Sequence, residues 1–446
     1  MADRRDMMNI AYRLADEWHM NGYDINDSTG CILFVLVLWF LVENSENIMP
    51  EDANKIMAIT KALYRPGQIE DMEVFEESAE LVEKVYGIRP GLLGDILKPV
   101  RYQEDGWKRS FKRTVDIIVE ANLSKSEAFE LAGYLLNASG KTRQNSMYVS
   151  SIAVSELLSL AVDVKDGDRV LDGAVGCGYS ALECIRGKDV TFTGIDIYIK
   201  SVAIASLYFI LAGRFGDEWY TEDFTAMDIA PNFDKVVMDI PFGMKTNNLV
   251  GYQMVKARNW MDTDNCREMD ALFVASGLEA LAEGGRMVTI VPQGFLFKQT
   301  KAIATLRDTI VKKGMLKAVI SLPSVYNSIS ISTTMIVLEN GNGETLFVDG
   351  AEFIQRERRG DAIITAKNKE KLKEIINEKK QVEGISFLVS PEKLLEVGDW
   401  SYSRYVANDI TQQFRSIADI DKELDICNRT ISDLDKVIHG LALFNK

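Results

Sequence analysis

Histidine is nearly absent: the 446 residues contain two, His19 and His439. Neither stands beside a nucleophile motif, so a Ser/His/Asp-type triad has no imidazole to use. A zinc centre is equally starved, because the five cysteines (Cys31, Cys177, Cys184, Cys266, Cys427) form no Cys-x-x-Cys. An odd, scattered set reads as reduced thiols in a cytosol. No metal site is expected. Long apolar runs are missing too. The longest, Cys31 to Val42, has 12 residues, against the roughly 20 that a bilayer-spanning helix needs. That run predicts a buried helix. The opening Met1-Ala2-Asp3-Arg4-Arg5-Asp6 leads into no secretory apolar region, so a cytoplasmic chain without membrane contact is expected. Basic residues are outnumbered, 51 Lys+Arg against 66 Asp+Glu, for a net charge of −15. This excludes a surface that grips nucleic acid everywhere, but not a local basic groove or a basic partner.

What remains is an ordinary globular composition, 47% hydrophobic and 26% charged, long enough for several domains. Residues 1–125 read as helical, with apolar residues at helical spacing (Leu81, Val82, Val85, Tyr86) and breakers at Pro50, Pro66-Gly67, Pro90-Gly91 and Pro99. Residues 126–345 alternate short β-rich runs with helical stretches. The runs are Arg169–Asp172, Val190–Asp196, Lys235–Asp239, Met287–Val291, Leu316–Ile320 and Thr333–Leu338. Such alternation predicts an α/β domain with a mostly parallel, Rossmann-like sheet. Residues 346–410 are mixed. In the last segment, 411–446, Ile417, Ile420, Leu424, Cys427, Ile431, Leu434, Ile438 and Leu441 keep a strict 3, 4, 3, 4 spacing. That is an a/d seam, read as a coiled-coil arm for a partner helix or as a helix folded back on its own domain.

Ligands of parallel sheets sit outside the carboxyl ends of the strands, and three runs end in aspartate. The first, at Asp172, continues as Gly173-Ala174-Val175-Gly176-Cys177-Gly178-Tyr179. Glycines there let the backbone approach a ligand at a helix N-terminus. The second ends at Asp196, eighteen residues after Gly178, where an acidic residue can bind ribose hydroxyls. Gly176-x-Gly178-x-x-Ala181 also satisfies the dinucleotide fingerprint, which leaves an NAD-dependent dehydrogenase open. The third run enters Asp239-Ile240-Pro241-Phe242-Gly243. A carboxylate, a carbonyl held by the following proline and an aromatic ring form a clamp for a planar amine such as adenine N6. The lone pair of that amine is delocalised and has to be aimed. A base in duplex DNA reaches such a clamp only by flipping out. Ser139-Gly140-Lys141-Thr142 mimics the end of a phosphate loop, but Leu135 stands where its first glycine belongs.

On these motifs the chain resembles the methylation subunits of type I restriction–modification systems, N6-adenine DNA methyltransferases of the class I S-adenosylmethionine-dependent fold. Asp172 to Tyr179 resembles the family's Asp-Pro-Ala-Cys-Gly-Ser-Gly-Gly, and Asp239 to Gly243 its Asn-Pro-Pro-Phe-Gly. Met147-Tyr148-Val149-Ser150 stands where the family has Phe-Tyr-Thr-Pro. The resemblance implies an N-terminal helical domain, a methyltransferase domain and a C-terminal coiled-coil helix. It implies S-adenosylmethionine as cofactor, held by Tyr148, Asp172, Gly173, Ala174, Gly176, Cys177, Gly178, Asp196 and Asp223, with Asp228 competing for the last role. Asp239, Ile240, Pro241 and Phe242 would be the catalytic set. Implied partners are duplex DNA, a specificity subunit on the C-terminal helix, a second methylation subunit and a restriction nuclease subunit. A catalytically degenerate scaffold of the same fold is the alternative, since fold does not imply function.

Overall fold

The sheet is built from apolar runs buried on both faces, the pattern expected when helices cover both sides. Its strands are β1 (Arg169–Asp172), β2 (Thr191–Ile195), β3 (Glu218–Tyr220), β4 (Phe233–Asp239), β5 (Leu281–Pro292), β6 (Leu316–Leu322), β7 (Thr333–Glu339) and β8 (Thr345–Asp349), with Ser386–Val389 as the far edge strand. The computed structural model describes residues 4–23, 25–43, 53–64, 73–94, 96, 106–139, 149–245, 257–264, 266–326, 331–356 and 361–410. From one edge the order is β3-β2-β1-β4-β5-β7-β6-β8 and then Ser386–Val389. Neighbours from β3 through β5 are parallel, whereas β7 runs antiparallel to both β5 and β6. The chain leaves β1 toward β2 and leaves β4 toward β5, in opposite directions. The adjacent carboxyl ends of β1 and β4 therefore flank a topological switch point, where open sheets hold their ligands.

Among the described residues the chain opens with the helices α1 (Arg4–Met20), α2 (Ile25–Glu43), α3 (Ala53–Tyr64), α4 (Glu73–Tyr86), α5 (Gly106–Ala121) and α6 (Lys125–Ser139). The apolar run falls in α2, where Cys31 to Leu41 are all buried. A helix apolar all round needs neighbours on every side. It has them in α1, α5, α6 and α9 (Ile199–Leu211), the helix between β2 and β3. Trp18 of α1 donates its indole N–H to Thr114 Oγ1 of α5 at 2.8 Å, satisfying a buried donor.

Helices α7 (Ile152–Val162) and α8 (Tyr179–Ile185) bracket β1 in sequence, and α10 (Met269–Ala280) precedes β5. Midway along β5, Arg286 donates to Glu339 Oε2 at 2.7 Å, and Lys317 reaches the same oxygen at 3.0 Å. This ion cluster welds β5, β7 and β6 where they meet. The chain divides into two compact units, Met1–Trp400 and Ser401–Lys446. In the second, one helix, Tyr402–Ile410, is described. The a/d seam of 417–441 lies outside the described residues. Among the described residues no helix is long and apolar enough to cross a membrane, and no group of three or more His, Cys, Asp or Glu side chains can hold a metal ion.

Candidate active site

The loop after β1 is tied down by backbone hydrogen bonds. Asp172 Oδ1 accepts from the Ala174 amide at 2.9 Å, and the Val175 amide donates to the Ile195 carbonyl at 3.0 Å. Gly176 and Gly178 have φ of 51° and 76°, the left-handed region that favours glycine. Gly178 also has no room for a side chain: a Cβ would lie 3.0 Å from Ala205 Cβ and Phe209 Cε2 on α9. Asp196, just past β2, accepts from the amides of Gly176 (3.0 Å) and Tyr198 (2.8 Å). The ends of β1 and β2 thus form one cradle, with backbone N–H groups orienting its carboxylate.

At the end of β4, Asp239 is held by two hydroxyls. Tyr326, in the loop after β6, donates to Oδ1 at 2.5 Å, and Ser150, just ahead of α7, donates to Oδ2 at 2.7 Å. Ser150 Oγ also lies 3.3 Å from Ser180 Oγ, in the first turn of α8. Ile240 is buried, while Pro241 and Phe242 are half-buried. The ring of Phe242 meets that of Tyr326 edge to face, centroids 5.5 Å apart at 85°.

Three carboxylates, those of Asp172, Asp196 and Asp239, crowd this crevice. Burial raises the Asp172 carboxyl, the Ala174 amide opposes this, and the negative charges of Asp239 and Asp196 raise it further, to about 8. Burial also raises Asp239 against the Tyr326 and Ser150 hydrogen bonds, and raises Asp196 against those from backbone amides. Burial pushes the Cys177 thiol up to about 12, which makes it a packing group and not a nucleophile. Three converging carboxylates whose ionisation is resisted form a site that a cationic ligand with hydroxyl donors would complement.

The structure brings together Asp172, Gly173, Ala174, Gly176, Cys177, Gly178 and Asp196 on one loop system, with Asp239 near enough for its charge to act on Asp172. Asp223 caps a short 3₁₀ turn, Phe224–Ala226, its Oδ1 accepting from the amide and hydroxyl of Thr225. Phe224 is buried so tightly over Gly173 that a Cβ there would lie 2.5 Å from its ring. The residue after the glycine loop, Tyr179, stacks on Tyr208 (6.0 Å, 11°), which stacks in turn on Phe129 of α6 (5.1 Å, 20°). Tyr148 lies outside the described residues. Sequence reasoning missed Ser150 as a partner of Asp239, and missed Tyr326 and Ser180 altogether. Ser150 was visible only as a departure from Thr-Pro, and Tyr326 sits in no motif.

A mostly parallel sheet with a glycine loop after its first strand and an acidic clamp after its fourth defines a methyltransferase-type α/β fold. The model of the N-6 DNA methylase family matches residues 128–413, and the chain belongs to that family. It is similar, at 24% identity over 208 residues, to the type II restriction enzyme and methyltransferase RM.BcgI of Heyndrickxia coagulans, covering 42% of this chain and 30% of that protein. The chain thus spans under a third of the length of that curated relative. Its fold matches the type I restriction–modification methyltransferase subunit of Streptococcus thermophilus with a TM-score of 0.67, at 18% identity, over 90% of this chain and 99% of the other. A chain from the structural study of type I restriction–modification complex assembly and conformational transition matches with a TM-score of 0.63, at 17% identity, over 100% of both chains.

Proposed function

We propose that this chain methylates N6 of adenine in duplex DNA, using S-adenosylmethionine, as the modification subunit of a multisubunit restriction–modification system. The observation that carries the reading is Asp239-Ile240-Pro241-Phe242 at the switch point, with the Asp239 carboxylate close enough to the Asp172 loop for the two charges to interact. The cofactor supplies a methyl group on a positively charged sulfur, and it also carries an ammonium and ribose hydroxyls. The residues fit it: a crevice of three carboxylates, crowded at negative charge, would be relieved by those positive groups. Asp172 and the backbone of Gly173, Ala174, Gly176, Cys177 and Gly178 would hold the methionine part. Asp196, already oriented by two amides, would accept from the ribose, and Asp223 would meet the adenine ring, with Tyr148 covering it.

On the substrate side, Asp239 and the Ile240 carbonyl would accept the two N–H bonds of the amine, and Phe242 would stack on the base. Burial makes the Asp239 carboxylate a better base than an exposed one, so it can take the proton that the methylated amine has to lose. Sequence choice would come from a specificity subunit docked on the C-terminal seam, with a second methylation subunit and a restriction nuclease completing the assembly. Net charge of −15 suits a chain that leaves much of the DNA grip to others. The test is calorimetric titration of S-adenosylmethionine into the full chain. Stoichiometric binding that is lost in Asp172→Ala is expected; no binding, with the specificity partner present as well, removes the reading.

A further inference from the structure

As an ionised carboxylate Asp239 offers an amine acceptors only, and both its orientation and its charge have to be maintained. A free carboxylate swings about its terminal torsion, and one buried as Asp239 is feels pressure to take up a proton. Both problems have a local answer here. One hydroxyl binds each oxygen, Tyr326 on Oδ1 and Ser150 on Oδ2. They come from chain segments 87 and 89 residues away in sequence, one after β6 and one before α7. Two donors on opposite oxygens fix the carboxylate plane and favour its charged form, and each oxygen keeps lone-pair capacity for an incoming N–H.

Tyr326 does a second thing. Its ring meets that of Phe242 edge to face, centroids 5.5 Å apart at 85°, so one side chain contacts both the acceptor and the stacking ring of the clamp. Ser150 reaches the other way, to Ser180 in the first turn of α8, two residues beyond Gly178. The hydroxyl chain Tyr326–Asp239–Ser150–Ser180 therefore links the base clamp to the helix that the glycine loop begins.

We propose that Tyr326 and Ser150 are positioning residues of the reaction: they hold the Asp239 carboxylate ionised and oriented, and Tyr326 also sets the Phe242 ring against the base. This rests on the methyltransferase reading for its functional meaning, though not for its geometry. The titratable groups that interact with Asp239 are Asp172 from the end of β1 and Tyr326 itself, with Asp196 from the end of β2 acting in turn on Asp172. Tyr326 stays neutral, because burial and then the Asp239 charge raise its phenol well above the usual range. Removing a hydroxyl donor thus removes support for the charged carboxylate without altering any other charge.

The experiment uses full-length chain with aspartate labelled at the 13C carboxyl carbon, the Asp239 signal being assigned by its loss in Asp239→Asn. Tyr326→Phe and Ser150→Ala should each raise the Asp239 titration midpoint by about one pH unit, the size of one charge-assisted hydrogen bond. In complex purified from its own host, with genomic DNA from a strain lacking the chain, Tyr326→Phe should lower kcat about tenfold or more. Its S-adenosylmethionine affinity should stay within about twofold, and the acid limb of its pH–rate profile should move to higher pH by the same unit. Tyr326→Leu, which also removes the ring from Phe242, should lose more. Coincident midpoints in wild type and both variants overturn the proposal. So does a Tyr326→Phe complex with the wild-type kcat and pH profile. Shifted midpoints in a chain whose wild type methylates no DNA would uphold the positioning geometry while removing the methyltransferase reading.

Discussion

The Gly176 amide donates to Asp196 Oδ2 at 3.0 Å, joining the glycine loop after β1 to the end of β2. The carboxylate assigned to the ribose is therefore also the brace of the loop. Asp196→Ala removes the acceptor for Gly176 and Tyr198 together. It should weaken S-adenosylmethionine at least about tenfold and cost about 1–3 kcal/mol of stability by leaving amides unpaired. Calorimetry and urea denaturation measure both, and unchanged affinity would break the link between brace and ligand.

Asp172 makes the ligand-free protein sensitive to pH. Its folded-state value, raised to about 8 from an ordinary 3.8, makes this group's contribution to stability largest below the ordinary value. That contribution is lost as pH rises through about 8. Asp172→Asn should flatten the decline in stability between pH 5 and 9 and leave the ligand-free chain more stable at pH 8, yet unable to bind the cofactor. In the wild type, binding near pH 7 should release protons, because the cofactor's positive groups select the ionised carboxylate. Calorimetry in buffers of differing ionisation heat reads that release directly.

Gly173 and Phe224 should behave as a coupled pair. A methyl group at 173 meets the Phe224 ring at 2.5 Å, so Gly173→Ala should cost about 1–3 kcal/mol and disturb the Asp223 cap beside it. In a Phe224→Leu background the cost should fall. Additive effects in the double-mutant cycle would show that the ring is free to move aside.

The ion cluster around Glu339 predicts a different pH response. Burial works to raise Glu339, but its bonds and charge interactions with Lys317 and Arg286 outweigh that and hold it below its ordinary value. Its stabilisation is present above the ordinary carboxylate range and is lost as pH falls through the lowered value. Glu339→Gln leaves two partly buried cations without their anion and should cost about 3–5 kcal/mol. Its loss should show in thermal unfolding at pH 7 and shrink in acid.

The fold and half of the site were legible because they are written locally. Apolar runs that end in aspartate mark strand ends, and β1, β4 and β7 fall where the runs placed them, within two residues at each end. Glycines at 176 and 178 announce backbone that other residues avoid. The network on Asp239 was not legible, because Ser150 and Tyr326 meet it only through the order of strands in the sheet. Nothing near Tyr326 in sequence distinguishes it from any half-apolar loop tyrosine. The same holds for Phe224 over Gly173 and for Glu339 between two cations. Each is a tertiary contact between segments that carry no signal of one another.

The central claim is that Asp239 serves adenine methylation. Its most direct test is mass spectrometric measurement of N6-methyladenine in DNA from host cells carrying the wild-type chain or Asp239→Ala, with assembly of the tagged chain followed in parallel. N6-methyladenine at one defined sequence, lost in Asp239→Ala while the complex still forms, is the predicted result. Methylation that persists unchanged in Asp239→Ala would contradict the account.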